Sequence, residues 1–351
     1  MLVVADHCRV PGFGGGFFGV DLFFVLSGFL ITRLLVAECD ARGKIDLPGF
    51  YLRRILRLTP PLLLMLIAYL AIAPMAWPQF SLWSHIRDAA LTGFYLSDYA
   101  LVLWHHPKML LHSWSLAVEE HFYFIWPFAA LLLTRIQLRW RIALLIGLYL
   151  LSTAWRIFEY ERLGWNEMYY RFDTRMSGLV FGALLAIYLP RIGRISDETA
   201  NAAGVFACAL LLPCLLLGYW QAPGGMMWMM SLVEIAAVAL LIAASAPNSW
   251  VSKLLSVPPL VGIGIISYGV YLWHYPVAAF FRGLLPWYQT LPIVLTIALV
   301  AATASYLTVE RPLQRYRRNL GARRRAADMA GETEGDDRGS LPIRATATML
   351  P

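Results

Sequence analysis

The sequence predicts an all-α, polytopic membrane helix bundle of about ten transmembrane helices, the first of them truncated. Three observations predict it. The chain is 59% hydrophobic, with a mean hydropathy of +0.59 and 15% charged residues, against about 25% charged in a soluble domain. Nine apolar runs reach or approach the roughly 20 residues needed to cross a bilayer. The ionisable residues within those runs fall in a few short motifs, and an ion inside a membrane helix is costly to keep there.

The runs are 17–37, 58–77, 116–133, 142–158, 172–189, 202–220, 226–246, 257–281 and 291–309. Segment 1–8 reads as the tail of one further helix, too short to span alone. It lacks the basic head and the cleavage site of a signal peptide. The longest outer connection is 78–111, within which 88–103 is predicted as a short helix on or in the membrane surface. From residue 321 the chain is polar and charged without periodicity, a composition that cannot bury a core. The expected division is a membrane domain at 1–313 and a disordered cytoplasmic tail at 314–351.

Basic residues set the orientation, because Lys and Arg concentrate on the cytoplasmic side. One alternating scheme places Arg42, Lys44, Arg53, Arg54 and Arg57 inside, followed by Arg135, Arg139 and Arg141, then Arg191 and Arg194, then Lys253, then Arg311, Arg315, Arg317 and Arg318. The outer connections keep Arg87, Lys108, Arg162 and Arg282. The C-terminus is then cytoplasmic, and His7 lies toward the outer face. The net charge of +7 is thus a topology signal, and nucleic-acid binding is not expected. The cysteines Cys8, Cys39, Cys208 and Cys214 show neither metal-ligand nor disulfide spacing, so no metal is expected.

The segment 111–127, LHSWSLAVEEHFYFIWP, carries Glu119, Glu120 and His121 in otherwise apolar and aromatic surroundings. Ser115, Glu119 and Tyr123 fall on one helical stripe, with Glu120 beside it. Adjacent carboxylates in low dielectric do not both ionise cheaply. Arg171 and Arg175, with Asp173 between them, are the expected partners; a purely structural ion pair is the competing reading. His7 is a candidate general base, although an interfacial histidine fits the residues as well. Asp21 can orient or polarise it, or else simply favour its helix N-terminus. Gly19 and Gly28 allow close helix contact. Arg54 and Arg57, three apart, share one face and suit bidentate binding of phosphate, or serve as ordinary anchors. Ser267, Tyr271 and His274 share one face and should look into the bundle.

With those motifs in view, the chain resembles the acyltransferase 3 family of membrane O-acetylases of O-antigen, peptidoglycan and exopolysaccharide. The resemblance rests on VVADH ending at His7, GGGFFGVDLFFVLSGFLIT, FYLRRILRLTPP, HSWSLAVEEHFYFIWP, YRFDTRMSGLVFGALLA, ISYGVYLWHYP and VERPL, in the family's order over 1–313. It implies ten helices in the bacterial inner membrane. It also implies transfer of an acyl group, usually acetyl, from cytoplasmic acyl-CoA to a hydroxyl of an envelope or exported carbohydrate or lipid-linked glycan. His7 matches the essential histidine, and Arg54 and Arg57 match the Arg-x-x-Arg motif on the donor side. Asp21, Glu119 and Glu120 lie in the strongest intramembrane motifs, and no permanently bound cofactor is implied.

Two departures stand out. The family places a basic residue a few turns before the histidine, whereas six residues precede His7, which suggests a start further upstream. His121 stands where the family usually has Gln. Cys8, adjacent to His7, offers a covalent alternative to direct transfer. An exporter or flippase of a lipid-linked saccharide is the competing function class; it accounts for the helices but not for a phosphate-ready arginine pair.

Overall fold

The computed structural model describes residues 1–218 and 223–315, the side chains of 223–226 excepted. Helix α1, Leu2–His7, leads through the 3-10 turn Gly16–Phe18 into α2, Gly19–Arg42. Then come α3, Leu47–Ala76, the short helices α4, Leu82–Gly93, and α5, Ser97–Trp104, and a second 3-10 turn, Leu111–Ser113. Four longer elements with one short one between them follow: α6, Trp114–Thr134, α7, Leu138–Leu163, α8, Trp165–Tyr170, α9, Phe172–Ile192, and α10, Asp197–Leu217. The remainder is α11, Pro223–Ser245, α12, Trp250–Leu255, α13, Pro258–Ile265, α14, Ser267–Phe281, and α15, Trp287–Ser305, continued by a π turn, Tyr306–Glu310.

Among the described residues there are helices and no strands, and eight helices are long and apolar enough to span a membrane. A ninth span arises if α13 and α14 are taken together, but they meet at 72°. The straight run expected over 257–281 is therefore broken: Pro258 and Pro259 start a short helix that ends at Ile266, and α14 sets off anew. The single outer helix expected at 88–103 is two, divided where Tyr95 takes a positive φ of 56°. The tail proposed from 314 falls, from 316 onward, outside the described residues.

Helices α2 and α9 form the centre of the bundle. They touch through glycine: a Cβ on Gly28 would lie 1.9 Å from the Leu179 carbonyl oxygen, and one on Gly182 would lie 1.9 Å from that of Val25. Only a hydrogen at both positions lets the two backbones come so close. The close approach sets the buried carboxylate of Asp21 against the guanidinium of Arg175, Nη2 to Oδ1 at 2.9 Å. A second buried pair, Arg156–Glu234 at 3.0 Å, ties α7 to α11, and Ser177 of α9 bonds to both members. Ions this deep are stable only when paired and hydrogen-bonded, so these contacts fix how the helices register.

Candidate active site

His7 and His274 meet although 267 positions apart, with His7 Nδ1 2.9 Å from His274 Nε2 and the rings stacked 7° from parallel. The proton positions follow from the surroundings. His274 Nδ1 lies 2.7 Å from the Tyr271 carbonyl oxygen and 3.2 Å from that of Val270. Carbonyls only accept, so Nδ1 carries the hydrogen and Nε2 of the neutral ring is a bare lone pair. His7 Nδ1 must then donate to it, which leaves His7 Nε2 as the free lone pair. In this arrangement His274 holds His7 in the tautomer and orientation of a proton acceptor.

Two more rings complete the cluster. Tyr275 stands edge-on to His7 at 4.8 Å, and His112 stacks on Tyr275 at 4.9 Å. His112 is 1% exposed, and neither ring nitrogen has a hydrogen-bond partner among the described residues. Its backbone is held firmly: the His112 carbonyl accepts from Tyr271 Oη at 2.9 Å and from Ser115 Oγ at 3.2 Å. The chain leading to it is clamped by Asp88, which accepts from the Lys108 amide at 2.8 Å and lies 2.5 Å from His106 Nδ1.

A line of polar contacts runs along α6 from this cluster. Tyr271 Oη and Ser115 Oγ are 2.5 Å apart. One turn on, Glu119 accepts from Tyr123 Oη at 2.7 Å, and Tyr123 also bonds to Ser27. Over the Tyr123 ring, at 4.0 Å from its centre, lies the guanidinium of Arg54. Arg54 and Arg57 both act electrostatically on Glu119. They line a cavity of about 530 Å³ with Arg42, Arg53, Glu38 and Phe50. Arg57 also feels Glu310, which the π turn carries inward. The stripe of Ser115, Glu119 and Tyr123 read from spacing is thus the wall joining the imidazole cluster to the arginine cavity.

Other residues singled out from sequence lie elsewhere. Asp21 pairs with Arg175 and has no hydrogen bond to His7; the orienting group beside His7 is His274. Arg175 is enclosed by aromatic rings, Tyr169 at 4.5 Å and Trp114 at 5.4 Å. Arg171 bonds Glu159 and donates to Asp173 Oδ1 at 3.0 Å, and Asp173 also accepts from Trp155 at 2.7 Å and from Tyr99 at 3.1 Å. Arg171 and Arg175 are therefore ion-paired to Glu159, Asp173 and Asp21 rather than to the Glu119–Glu120 pair. Glu120 keeps Oε1 buried without a hydrogen bond among the described residues. His121 points to α5, 3.1 Å from Asp98. Cys8 packs in an apolar cluster with Val4, Ala278 and Val294.

Sequence reasoning missed His112 and Glu310. His112 carried a signal, a lone histidine three residues before Ser115 in the acidic motif. Glu310 stood in the quoted VERPL motif but was given no site role; it is buried at the end of the π turn.

The family profile described as an acyltransferase domain matches residues 1–310. The chain belongs to the acyltransferase 3 family. It is 32% identical over 346 residues to the peptidoglycan O-acetyltransferase OatA of Listeria monocytogenes, covering 89% of this chain and 54% of that protein. Against the O-acetyltransferase OatA of Staphylococcus aureus it is 32% identical over 337 residues, covering 89% and 55%. The chain thus spans about half the length of these curated relatives. No solved structure matches it.

Proposed function

We propose that this acyltransferase 3 protein is an O-acyltransferase that moves an acetyl group from acetyl-CoA to a hydroxyl of an envelope glycan of the peptidoglycan kind. The reading places Arg54 and Arg57 on the cytoplasmic side, as the basic connections favour, where they bind the diphosphate of the donor. The thioester then reaches along the α6 wall toward His7. An acceptor hydroxyl enters from the opposite side, and His7 Nε2 takes its proton. The oxygen attacks the thioester carbon, the carbon–sulfur bond breaks, and the imidazolium returns its proton to the departing thiolate. His274 positions His7, Tyr271 and Ser115 hold the wall, and Glu119 orients Tyr123 beneath Arg54. Asp21 and Arg175 keep α2 on α9 beneath the site, while Arg171 and Asp173 secure the outer helices.

The observation that carries this reading is a pair of polar groups one turn apart on α6, His7 with His274, Tyr271 and Ser115 on one side and Glu119 with Tyr123 and Arg54 on the other. The relatives' printed names supply the acetyl group and the peptidoglycan class of acceptor. The test uses inverted membrane vesicles with acetyl-CoA carrying label in the acetyl group. Label should appear on lumenal glycan with wild type and fall by about 10²–10⁴ with His7→Ala, the usual worth of a general base. Lumenal glycan accumulating without label would instead favour an exporter.

A further inference from the structure

Arg156, Arg162, Arg171 and Arg175 each have a carboxylate at ion-pair distance. Arg282 has none among the described residues. It follows the last residue of α14 and is partly exposed. Its polar contact is a long one, Nη2 to Tyr275 Oη at 3.5 Å, with the guanidinium 5.4 Å from the centre of that ring. The same Tyr275 stands edge-on to His7 at 4.8 Å. One ring therefore separates this cation from the proton acceptor, and its field reaches Asp6, His7 and Cys8. Arg282 also lies at the far end of the site from the arginine cavity. Tyr268, in the first turn of α14, donates to the Leu58 carbonyl, next to Arg57, at 2.9 Å. Arg282 stands about 21 Å further along that helix at 1.5 Å per residue.

We propose that Arg282 binds the acceptor: it holds an anionic group of the glycan, a carboxylate or a phosphate one sugar ring from the hydroxyl that His7 deprotonates. This rests on the reading that acetyl passes from acetyl-CoA to a glycan hydroxyl at His7. The donor's phosphates are held at the opposite end of the bundle, so the anion at Arg282 belongs to the other substrate. A guanidinium takes either anion through two parallel N–H bonds. It carries five N–H groups, and the long contact to Tyr275 leaves that fork open. Asp6 feels the cation without coming within ion-pair distance. An acceptor anchored there brings its hydroxyl to His7 across the Tyr275 ring, and a neutral glycan loses that anchor.

The test is acetyl transfer from labelled acetyl-CoA to defined glycans by the full chain in detergent, where both ends of the bundle are open. One probe is an oligosaccharide of N-acetylglucosamine and N-acetylmuramic acid with free lactyl carboxylates. The second is the same oligosaccharide as its neutral methyl amide, and the third is that methyl amide on a polyprenyl diphosphate. Wild type should show an acceptor KM about tenfold lower for an anionic probe than for the neutral one, the worth of one charge-assisted contact. Preference for the free carboxylate assigns the anion to the sugar; preference for the diphosphate assigns it to the lipid link. Arg282→Gln should raise the KM of the preferred probe to that of the neutral one. Its neutral-probe kinetics and acetyl-CoA KM should stay unchanged, which also shows that the variant is folded. Arg9→Gln removes an exposed charge two residues past His7 and should change none of these. Equal wild-type KM for all probes, an Arg282→Gln loss that extends to the neutral probe, or an equal loss in Arg9→Gln overturns the anion site while leaving the transfer reading standing. Absence of label on every glycan overturns the transfer reading, and the anion site with it.

Discussion

Replacing His274 with alanine isolates the step on which the chemistry depends. His274 contributes one hydrogen bond to His7, the 2.9 Å bond between Nε2 and the His7 Nδ1 hydrogen. Without it that N–H is left unsatisfied in a part-buried setting, which costs about 1–3 kcal/mol. The cost falls on the productive orientation, because His7 can then turn its ring or move its proton to Nε2, where it no longer accepts. At about 1.36 kcal/mol per decade this is a loss of roughly 5- to 150-fold in kcat. Donor KM should not move, since the arginine cavity lies about two helical turns away along α6. His274→Gln offers an amide oxygen in place of Nε2 and should recover part of the loss. The assay is acetyl transfer in vesicles, normalised to folded protein by fluorescence-detected size exclusion. His7→Ala with His274→Ala should be no slower than His7→Ala alone, because a positioning residue has nothing left to position. Full activity in His274→Ala, or losses that multiply in the double variant, would refute the assignment.

Asp21→Asn leaves Arg175 as a buried cation with no carboxylate and should destabilise the protein by about 3–5 kcal/mol, read as a lower melting temperature in detergent; adding Arg175→Met should restore much of it. An unchanged melting temperature in Asp21→Asn alone would remove that pair from the frame of the bundle. Gly28→Ala sets a methyl 1.9 Å from the Leu179 carbonyl and should cost about 1–3 kcal/mol or more, whereas Gly147→Ala, which meets nothing within 4 Å, should be silent in the same measurement. Arg54→Lys keeps the charge but loses the planar face over Tyr123 and the bidentate fork; donor KM should rise about tenfold with kcat nearly unchanged, and a kcat effect alone would move Arg54 out of donor binding.

Much of the bundle was legible because the bilayer enforces it: a backbone in hydrocarbon must satisfy itself, so apolar runs become helices. Among the described residues, eight candidate spans lie where apolar runs stand, and Gly28 meets α9 as its lack of a side chain allows. The broken span at 258–281 was not legible, since prolines inside α3 at Pro60 and Pro61 leave that helix continuous while Pro258 and Pro259 mark a bend. Local sequence cannot tell a tolerated proline from a hinge when neighbouring helices decide it. The stripe of Ser115, Glu119 and Tyr123 was readable because helical period fixes one face. The partners of the ions were not. Asp21 with Arg175, and Arg171 with Glu159, depend on which helices become neighbours, and sequence spacing within one helix carries no information on that.

The two polar ends of the site constrain the donor independently of any relative. Ser115 and Tyr123 are eight residues apart on one straight stretch of α6, so their levels differ by about 12 Å at 1.5 Å per residue. Ser115 touches the Tyr271 that carries the His274 carbonyl contact, and Tyr123 underlies Arg54. A donor whose phosphates rest on Arg54 must therefore place its reactive carbon at least that far away to meet His7. Acetyl phosphate, with its acyl carbon one bond from the phosphate oxygen, cannot do both. A donor with a long flexible arm between phosphate and thioester can, and it can do so while its phosphates stay in water. On the proposed reading, the separation of the arginines from the imidazoles lets one donor keep its phosphates at Arg54 while its thioester meets His7.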